Sequence, residues 1–360
     1  MTELLQVGTG FKINGEPFSC EPYGTGHIHE TYLLKSGDTN TPSSYILQLL
    51  NIDVFRKPEA VQDNIHRILT YLKDLPDKQS DFQELEIVDT INDTSLHIDR
   101  FGNHWRCFNF IENSVTLERV ENPEQAFEGG RGFGLFAAML KDYNPRRLHI
   151  TIPHFMDAEW RMQQLTYTEF INPGERLKQV QPELKKIRQL SDISSRFLRI
   201  RTALPERVTH NDTKITNLLF DSDTGKAKCV IDLDTVMTGT LLTDFGDMVR
   251  SYTASGKEDG TGPDSWDCRE DIFEALINGF AEAVSTILLD VETSNLLLGA
   301  KLVIYMQAVR FLTDYLKGDI YYKTAYPEHN RDRARNQIGL LESLISKEDL
   351  LQDILKRSII

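Results

Sequence analysis

The sequence predicts an α+β protein of two lobes, an antiparallel sheet carrying one helix followed by a larger, mostly helical lobe. Three observations predict it. Strand-like runs crowd roughly the first 110 residues, amphipathic helical periods dominate from Pro123 onward, and a 360-residue chain is longer than one hydrophobic core usually fills. The junction falls near Glu112 to Pro123, giving an N-terminal lobe of residues 1–112 and a C-terminal lobe of residues 113–360.

In the first lobe, FKINGEPFSC, HETYLLKS, SYILQLL, ELEIVDTI, SLHIDRF and HWRCFNFI are short runs with β-branched or aromatic residues, parted by turn signals such as Gly102-Asn103. Five or six strands are expected from them. One helix interrupts: PEAVQDNIHRILTYLKDL places Val61, Ile65, Ile68, Leu69 and Leu72 at helical spacing behind Pro58, a residue suited to a first turn. In the second lobe AFEGGRGFGLFAAMLKDY, EWRMQQLTYTEFI, ELKKIRQLSDISSRFLRI and EDIFEALINGFAEAVSTILL are amphipathic. The glycines of GGRGFG precede no strand, so they read as close helix packing or a helix start, not as a nucleotide loop. Between these helices ERVTH, NLLF and KAKCVIDLD are strand-like. With Asp221 to Gly225 as a turn, Asn217 to Asp234 should fold as a hairpin.

Composition narrows the function. A net charge of −14, from 54 acidic and 40 basic side chains, argues against a nucleic-acid partner, because phosphate backbones need a basic face. The four cysteines are scattered, without metal-finger or disulfide-framework spacing, which fits a reducing, cytoplasmic setting. MTELLQVGTGFKINGE lacks the basic and apolar regions of a signal peptide. The most apolar stretch, Leu296 to Val309, is interrupted by Lys301 and Gln307, so a buried helix is expected and no membrane partner.

Chemistry concentrates in RVTHNDTKITNLLFD, where Asp212, Lys214 and Asn217 stand at positions 0, +2 and +5. Folding the hairpin brings Asn217 opposite Val230 to Asp232, so its amide oxygen and the Asp232 carboxylate meet at one edge. Hard oxygen ligands with open positions are what Mg²⁺ prefers. Asp212 projects into the same mouth with Lys214 beside it. Phosphoryl transfer from ATP requires these parts: a carboxylate to accept the acceptor's proton, an Asn and an Asp for the metal, and a cation for the transferring charge. Singly, HxD is more often a turn with a capping Asp, and IDLD a strand end that caps a helix. Jointly, H-x-D-x-K-x-x-N followed at hairpin distance by I-D-x-D reads as a kinase-like site. His210 is expected to orient the loop. Asp244-Phe245-Gly246 lies after the hairpin in a helix, so Asp244 is expected to cap that helix or brace the catalytic loop, with Asp247 a supporting contact.

PYGTGHIHETYLL is a Gly-rich turn between two strands, where Gly24 and Gly26 would let backbone N–H groups cover phosphates. GxG alone is more often an ordinary hairpin. The following strand then carries Gln48 where a kinase has lysine. Either another cation serves or Mg²⁺ carries more of the load, and an uncharged Gln48 to Asn64 amide pair is expected in place of the lysine–glutamate pair.

At these residues the chain resembles the aminoglycoside phosphotransferase and choline kinase superfamily, small-molecule kinases with a bilobal, protein-kinase-like fold. EPYGTGHIHETYLL, YILQLLN, RVTHNDTKITNLLFD, KAKCVIDLDTVMTG, LLTDFGDMVR and RFLTDYLKGDIYYKTAYPEHN are similar to the branch that phosphorylates N-acetylhexosamines, over about Glu21 to Gln337. That resemblance implies ATP- and Mg²⁺-dependent phosphorylation of the anomeric C1 hydroxyl of N-acetylglucosamine or N-acetylgalactosamine, retaining the α configuration. It implies Asp212 as base, Lys214 as phosphate partner, Asn217 and Asp232 as metal ligands and Asp234 as a second carboxylate. His27, Arg310 and Tyr321 would hold the sugar. Without the resemblance, Arg310 reads equally as a helix-face charge and Tyr321 as a core aromatic. Two alternatives stand beside it: a kinase of the same fold acting on another alcohol, and a catalytically silent kinase-fold binding protein, suggested by Gln48. A metal hydrolase would need a second histidine at metal spacing.

Overall fold

The computed structural model describes residues 2–24, 28–76 and 82–359. Strands β1 (Pro17–Pro22), β2 (Glu30–Ser36), β3 (Ser43–Leu49), β4 (His97–Ile98) and β5 (His104–Asn109) form an antiparallel sheet in the order β1-β2-β3-β5-β4. Because side chains alternate along a strand, Leu34, Tyr45, Leu47, Trp105 and Cys107 share one face. They are buried there against Val7 of the N-terminal helix α1 (Thr2–Gly8) and Phe11. The opposite face carries Ile46, Gln48, Arg106 and Phe108. It turns toward α2 (Pro58–Lys73), whose Val61, Ile65 and Ile68 share a core with Phe108 and with the second lobe. This inward face is the one that meets the site.

The strand expectations hold for β1, β2, β3 and β5. SLHIDRF contributes only the two-residue β4, and ELEIVDTI makes isolated bridges such as Ile87 to Phe108. Helix α2 runs as expected, with Pro58 in its first turn. Helix α1 is an addition that the sequence reading did not contain.

The second lobe opens with β6 (Ser114–Thr116), α3 (Pro123–Met139), α4 (Ala158–Ile171), α5 (Glu175–Gln179), α6 (Gln181–Gln189) and α7 (Asp192–Arg201). ELKKIRQLSDISSRFLRI is thus two helices, broken at Leu190-Ser191. Then come β7 (Arg207–Thr209), β8 (Leu218–Asp221), β9 (Ala227–Val230), β10 (Met237–Gly239) and α8 (Leu241–Tyr252). Helices α9 (Pro263–Trp266), α10 (Glu270–Val284), α11 (Asp290–Thr293), α12 (Leu296–Lys317), α13 (His329–Ser346) and α14 (Glu348–Ser358) complete the chain. Among the described residues α12 alone is long and apolar enough to cross a membrane, and 89% of its apolar window is buried within the protein. It is the central core helix, as its Lys301 and Gln307 suggested.

The GGRGFG cluster lies inside α3 and packs on α10. A Cβ on Gly130 would lie 2.3 Å from the Leu276 carbonyl oxygen, and one on Gly279 2.0 Å from that of Phe127. The glycines bring two backbones together, which settles their role as helix packing.

The expected hairpin forms. Leu218 pairs with Val230 and Leu219 with Cys229, and β6 adds on the outer side of β8. One step beyond the ladder, the Ile231 N–H donates to the Asn217 carbonyl at 2.9 Å. Asn217 and Asp232 therefore arrive at the same end of the hairpin.

Candidate active site

The loop from His210 to Asn217 is held from beneath by α8. Both carboxylate oxygens of Asp244 accept backbone N–H bonds, from His210 and from Asn211, each at 2.8 Å, and the Asp244 carbonyl accepts the Thr213 hydroxyl at 2.7 Å. Asp244 is a brace for the loop, not the cap of its own helix. His210 is fully buried; its Nδ1 accepts the Asp212 N–H at 3.3 Å, so its Nε2–H donates to the Ile231 carbonyl at 3.0 Å. It orients the loop, as expected. Asn211 takes the left-handed conformation at φ 65°, which asparagine tolerates better than most residues, and turns Asp212 outward. Asp247 lies one turn on along α8 and is engaged by Arg250 at 2.8 Å.

Asp212, Lys214 and Asn217 come together. The Lys214 ammonium lies 2.9 Å from one Asp212 oxygen, and the Asn217 amide N–H donates to the other at 2.9 Å. Burial pushes the Asp212 carboxyl up, but the charge and hydrogen bond of Lys214, with the charge of Arg250 behind it, outweigh this and hold the group below the ordinary carboxylate range. Asp212 is thus an ionised acceptor with a fixed direction. Asn217 spends its amide N–H on Asp212, which leaves its amide oxygen free to accept or to ligate.

Asp232 sits at φ 60° and ψ 54°, a left-handed residue at the start of the tight turn Leu233–Thr235. Burial first, then the charges of Asp234 and Asp212, raise its carboxyl. Such a carboxylate gains most from a cation. Oxygens of Asp232 and Asp234 and a ring nitrogen of His29 fall within 4.8 Å of one another. The donor set fits a hard divalent ion better at Asn217 and Asp232 than at Asp234, whose oxygens are already engaged.

That engagement comes from a cation on the strand next to β3. Arg106 on β5, 1% exposed, donates Nη1–H to one Asp234 oxygen at 2.8 Å and Nη2–H to the other at 2.6 Å. Its Nε–H donates to the Gln48 side-chain oxygen at 2.8 Å, because Gln48 and Arg106 are direct partners in the β3–β5 ladder. His29 reinforces the pair. The Asn51 N–H donates to its Nδ1 at 3.1 Å, so Nε2 carries the proton that meets Asp234 at 3.2 Å. Burial opposes ionisation of Asp234, but Arg106 and then His29 hold its carboxyl well below the ordinary range.

The expected Gln48 to Asn64 pair does not form. Gln48 donates instead to the Thr31 hydroxyl at 3.0 Å. Asn64 faces the second lobe, donating to the carbonyls of His149 at 2.9 Å and Val236 at 3.0 Å and accepting the His149 N–H at 2.8 Å. The sheet register, not the helix, chooses the partner of Gln48. Gly24 has φ 77° in the turn between β1 and β2, whereas Gly26 and His27 lie outside the described residues.

Arg310 and Tyr321 line one cavity of about 210 Å³ together with Trp160, Arg161, Gln164 and Tyr322. Arg310, on α12, donates to the Gln307 side chain at 3.0 Å and rests over the rings of Phe155 and Tyr322 at 5.2 and 5.6 Å. The Asp212 carboxylate is among the charges that act on it. Asp314, also on the lining, is already spent: it accepts the N–H groups of Ile320, Tyr321 and Tyr322 and the Asn330 amide, all within 3.1 Å. Arg161, Arg310 and Lys317 outnumber this one carboxylate, so the lining is net cationic.

Sequence reasoning missed Arg106, His29 and Arg161. The one available signal for Arg106 was a charged residue between Trp105 and Cys107 in an apolar strand.

An antiparallel sheet with one inward helix, a helical lobe, and two aspartates and an amide at the end of a hairpin fit the small-molecule phosphotransferase class of kinase-like folds. The chain belongs to the phosphotransferase enzyme family, whose match covers residues 19–270. Its fold is similar to that of a microcompartment-associated aminopropanol kinase, at 16% identity and a TM-score of 0.68 with 98% of each chain covered. It is also similar to a spectinomycin phosphotransferase, at 12% identity and a TM-score of 0.61 over 96% of this chain and 98% of the other. A choline kinase from Cryptosporidium parvum Iowa II matches at 13% identity and a TM-score of 0.55 over 98% of this chain and 99% of the other.

Proposed function

We propose that the protein transfers the γ-phosphoryl group of ATP to the anomeric C1 hydroxyl of an N-acetylhexosamine, N-acetylglucosamine or N-acetylgalactosamine, giving the α-1-phosphate. The single observation that carries the choice of acceptor is the charge of the cavity lined by Arg310 and Tyr321. Aminopropanol, spectinomycin and choline, after which the similar structures are named, are cations at neutral pH. A cavity lined by Arg161, Arg310 and Lys317, with Asp314 the one carboxylate on its wall, repels such acceptors. It suits an uncharged, oxygen-rich ring, whose hydroxyl and carbonyl oxygens accept from guanidinium forks.

The C1 oxygen attacks the γ-phosphorus as its proton passes to Asp212, and the bond to the ADP oxygen breaks. Lys214 fixes the base and meets the transferring charge. The transition state is loose, so alignment supplies most of the rate and a carboxylate of low basicity suffices. Mg²⁺, held by Asn217 and Asp232 with Asp234 the nearest further carboxylate, would neutralise phosphate charge. The Gly-rich turn with Gly24, together with Gln48 and its partner Arg106, forms the nucleotide side. Arg310 and Tyr321 form the sugar side, and His27 on the Gly-rich turn would complete it when the lobes close and exclude water.

Incubation with ATP, Mg²⁺ and a panel of N-acetylhexosamines, aminoglycosides, choline and amino alcohols tests this, with ³¹P NMR locating the phosphate. A sugar α-1-phosphate is expected. A 6-phosphate product, or turnover of the amines alone, would overturn it.

A further inference from the structure

Arg161 is a built feature of the acceptor cavity. It lies in the first turn of α4, whose N-terminus is capped by Asp157 through the Trp160 N–H at 3.0 Å. Its guanidinium rests 4.9 Å from the centre of the Trp160 ring, and that ring is stacked on His154 at 5.1 Å with the planes 9° apart. His154 is fixed in turn by Asp157 at 3.0 Å. The platform under Arg161 is thus assembled before any ligand arrives.

Its donors are under-used. The Nε–H is buried without a hydrogen-bond partner, and Nη2 reaches only the Phe155 carbonyl at 3.3 Å. A buried donor left unpaired costs free energy that folding alone does not recover. Burial, then the like charge of Arg310 across the cavity, pulls the guanidinium down to about 10. An oxygen acceptor placed between the two arginines relieves both costs, and a cation placed there adds a third charge.

Building on the proposed sugar kinase activity, we infer that Arg161 is a specificity residue that donates to the carbonyl oxygen of the acceptor's acetamide and rejects the corresponding free amine. Arg310 and Tyr321 hold the ring near Asp212, and Arg161 reads the substituent that distinguishes one hexose from another.

The test compares kcat/KM for N-acetylglucosamine, glucosamine and glucose in the wild type, Arg161→Leu and Arg161→Lys, with melting curves to confirm folding. In Arg161→Leu the ratio of N-acetylglucosamine to glucose is expected to fall about 10- to 100-fold, the range for losing a charged hydrogen bond. The loss should sit mainly in KM, and the discrimination against glucosamine should shrink. Arg161→Lys keeps the charge but loses the planar fork. It should keep rejecting glucosamine while losing most of the preference for the acetamide. Equal losses on all three sugars in folded Arg161→Leu would overturn the assignment while leaving the sugar kinase reading intact. A wild-type protein that phosphorylates no sugar would overturn the parent reading and this assignment with it.

Discussion

Arg106 and Asp234 meet through two parallel hydrogen bonds, 2.8 and 2.6 Å long, with both side chains almost completely excluded from solvent. The pair joins the two lobes. Arg106 stands on the sheet beside Gln48, and Asp234 stands two residues after Asp232. A protein kinase has a third-strand lysine that pairs with a helix glutamate and the nucleotide phosphates. Here Gln48 stands in that strand, and the guanidinium fork beside it holds the turn that follows Asp232.

Removing one partner of a buried ion pair leaves the other charged and unsolvated. Arg106→Gln is therefore expected to lower stability by about 3–5 kcal/mol. Arg106→Gln combined with Asp234→Asn should recover most of it, because no lone charge remains. If Arg106 only supports the fold, the double variant should also regain wild-type KM for ATP. We expect the KM to stay raised while urea melts return toward the wild type. Recovery of both would confine Arg106 to a structural role.

Asp212→Asn is expected to lower turnover by roughly 10²- to 10⁴-fold, the span for losing a general base, with ADP binding retained in calorimetry. The pH profile locates the same group. Asp212 works ionised, and Lys214 lowers its ionisation below the ordinary carboxylate range. kcat/KM should thus stay level from neutral pH down to that range and fall only as the pH passes below it. Lys214→Met removes the charge that holds the carboxyl down and leaves burial, which raises it. Its acid limb should shift to higher pH, and an unmoved limb would remove Asp212 from the role.

Gly279→Ala tests the packing of α3 on α10. A methyl group 2.0 Å from the Phe127 carbonyl oxygen cannot be accommodated without separating the helices. The expected loss is about 1–3 kcal/mol or somewhat more, as for overpacked cores. Gly174→Ala, where a Cβ meets nothing within 4 Å, is the control. Equal urea midpoints for the two would contradict the close contact.

The catalytic loop was legible because its chemistry is local. Asp212, Lys214 and Asn217 are spaced within one loop, and the turn from Asp221 to Gly225 fixes the hairpin register that delivers Asp232. Asp244 was legible in outline, since its place after the hairpin separated it from the metal. The partner of Gln48 was not. Asn64 and Arg106 are both separated from Gln48 by long stretches of chain, and only the β3–β5 register decides between them.

By itself, then, the sequence determined the lobe order and the grouping of Asp212, Lys214 and Asn217 at the end of the hairpin that carries Asp232, because each depends on periodicity or spacing over a few residues. Only the tertiary structure decided that Arg106 pairs with Gln48 and Asp234 and that Arg161 and Arg310 line one cavity. Those relations arise from strand register and from α4 packing against α12, where burial removes water and makes charge placement decisive. No local pattern in the chain encodes them.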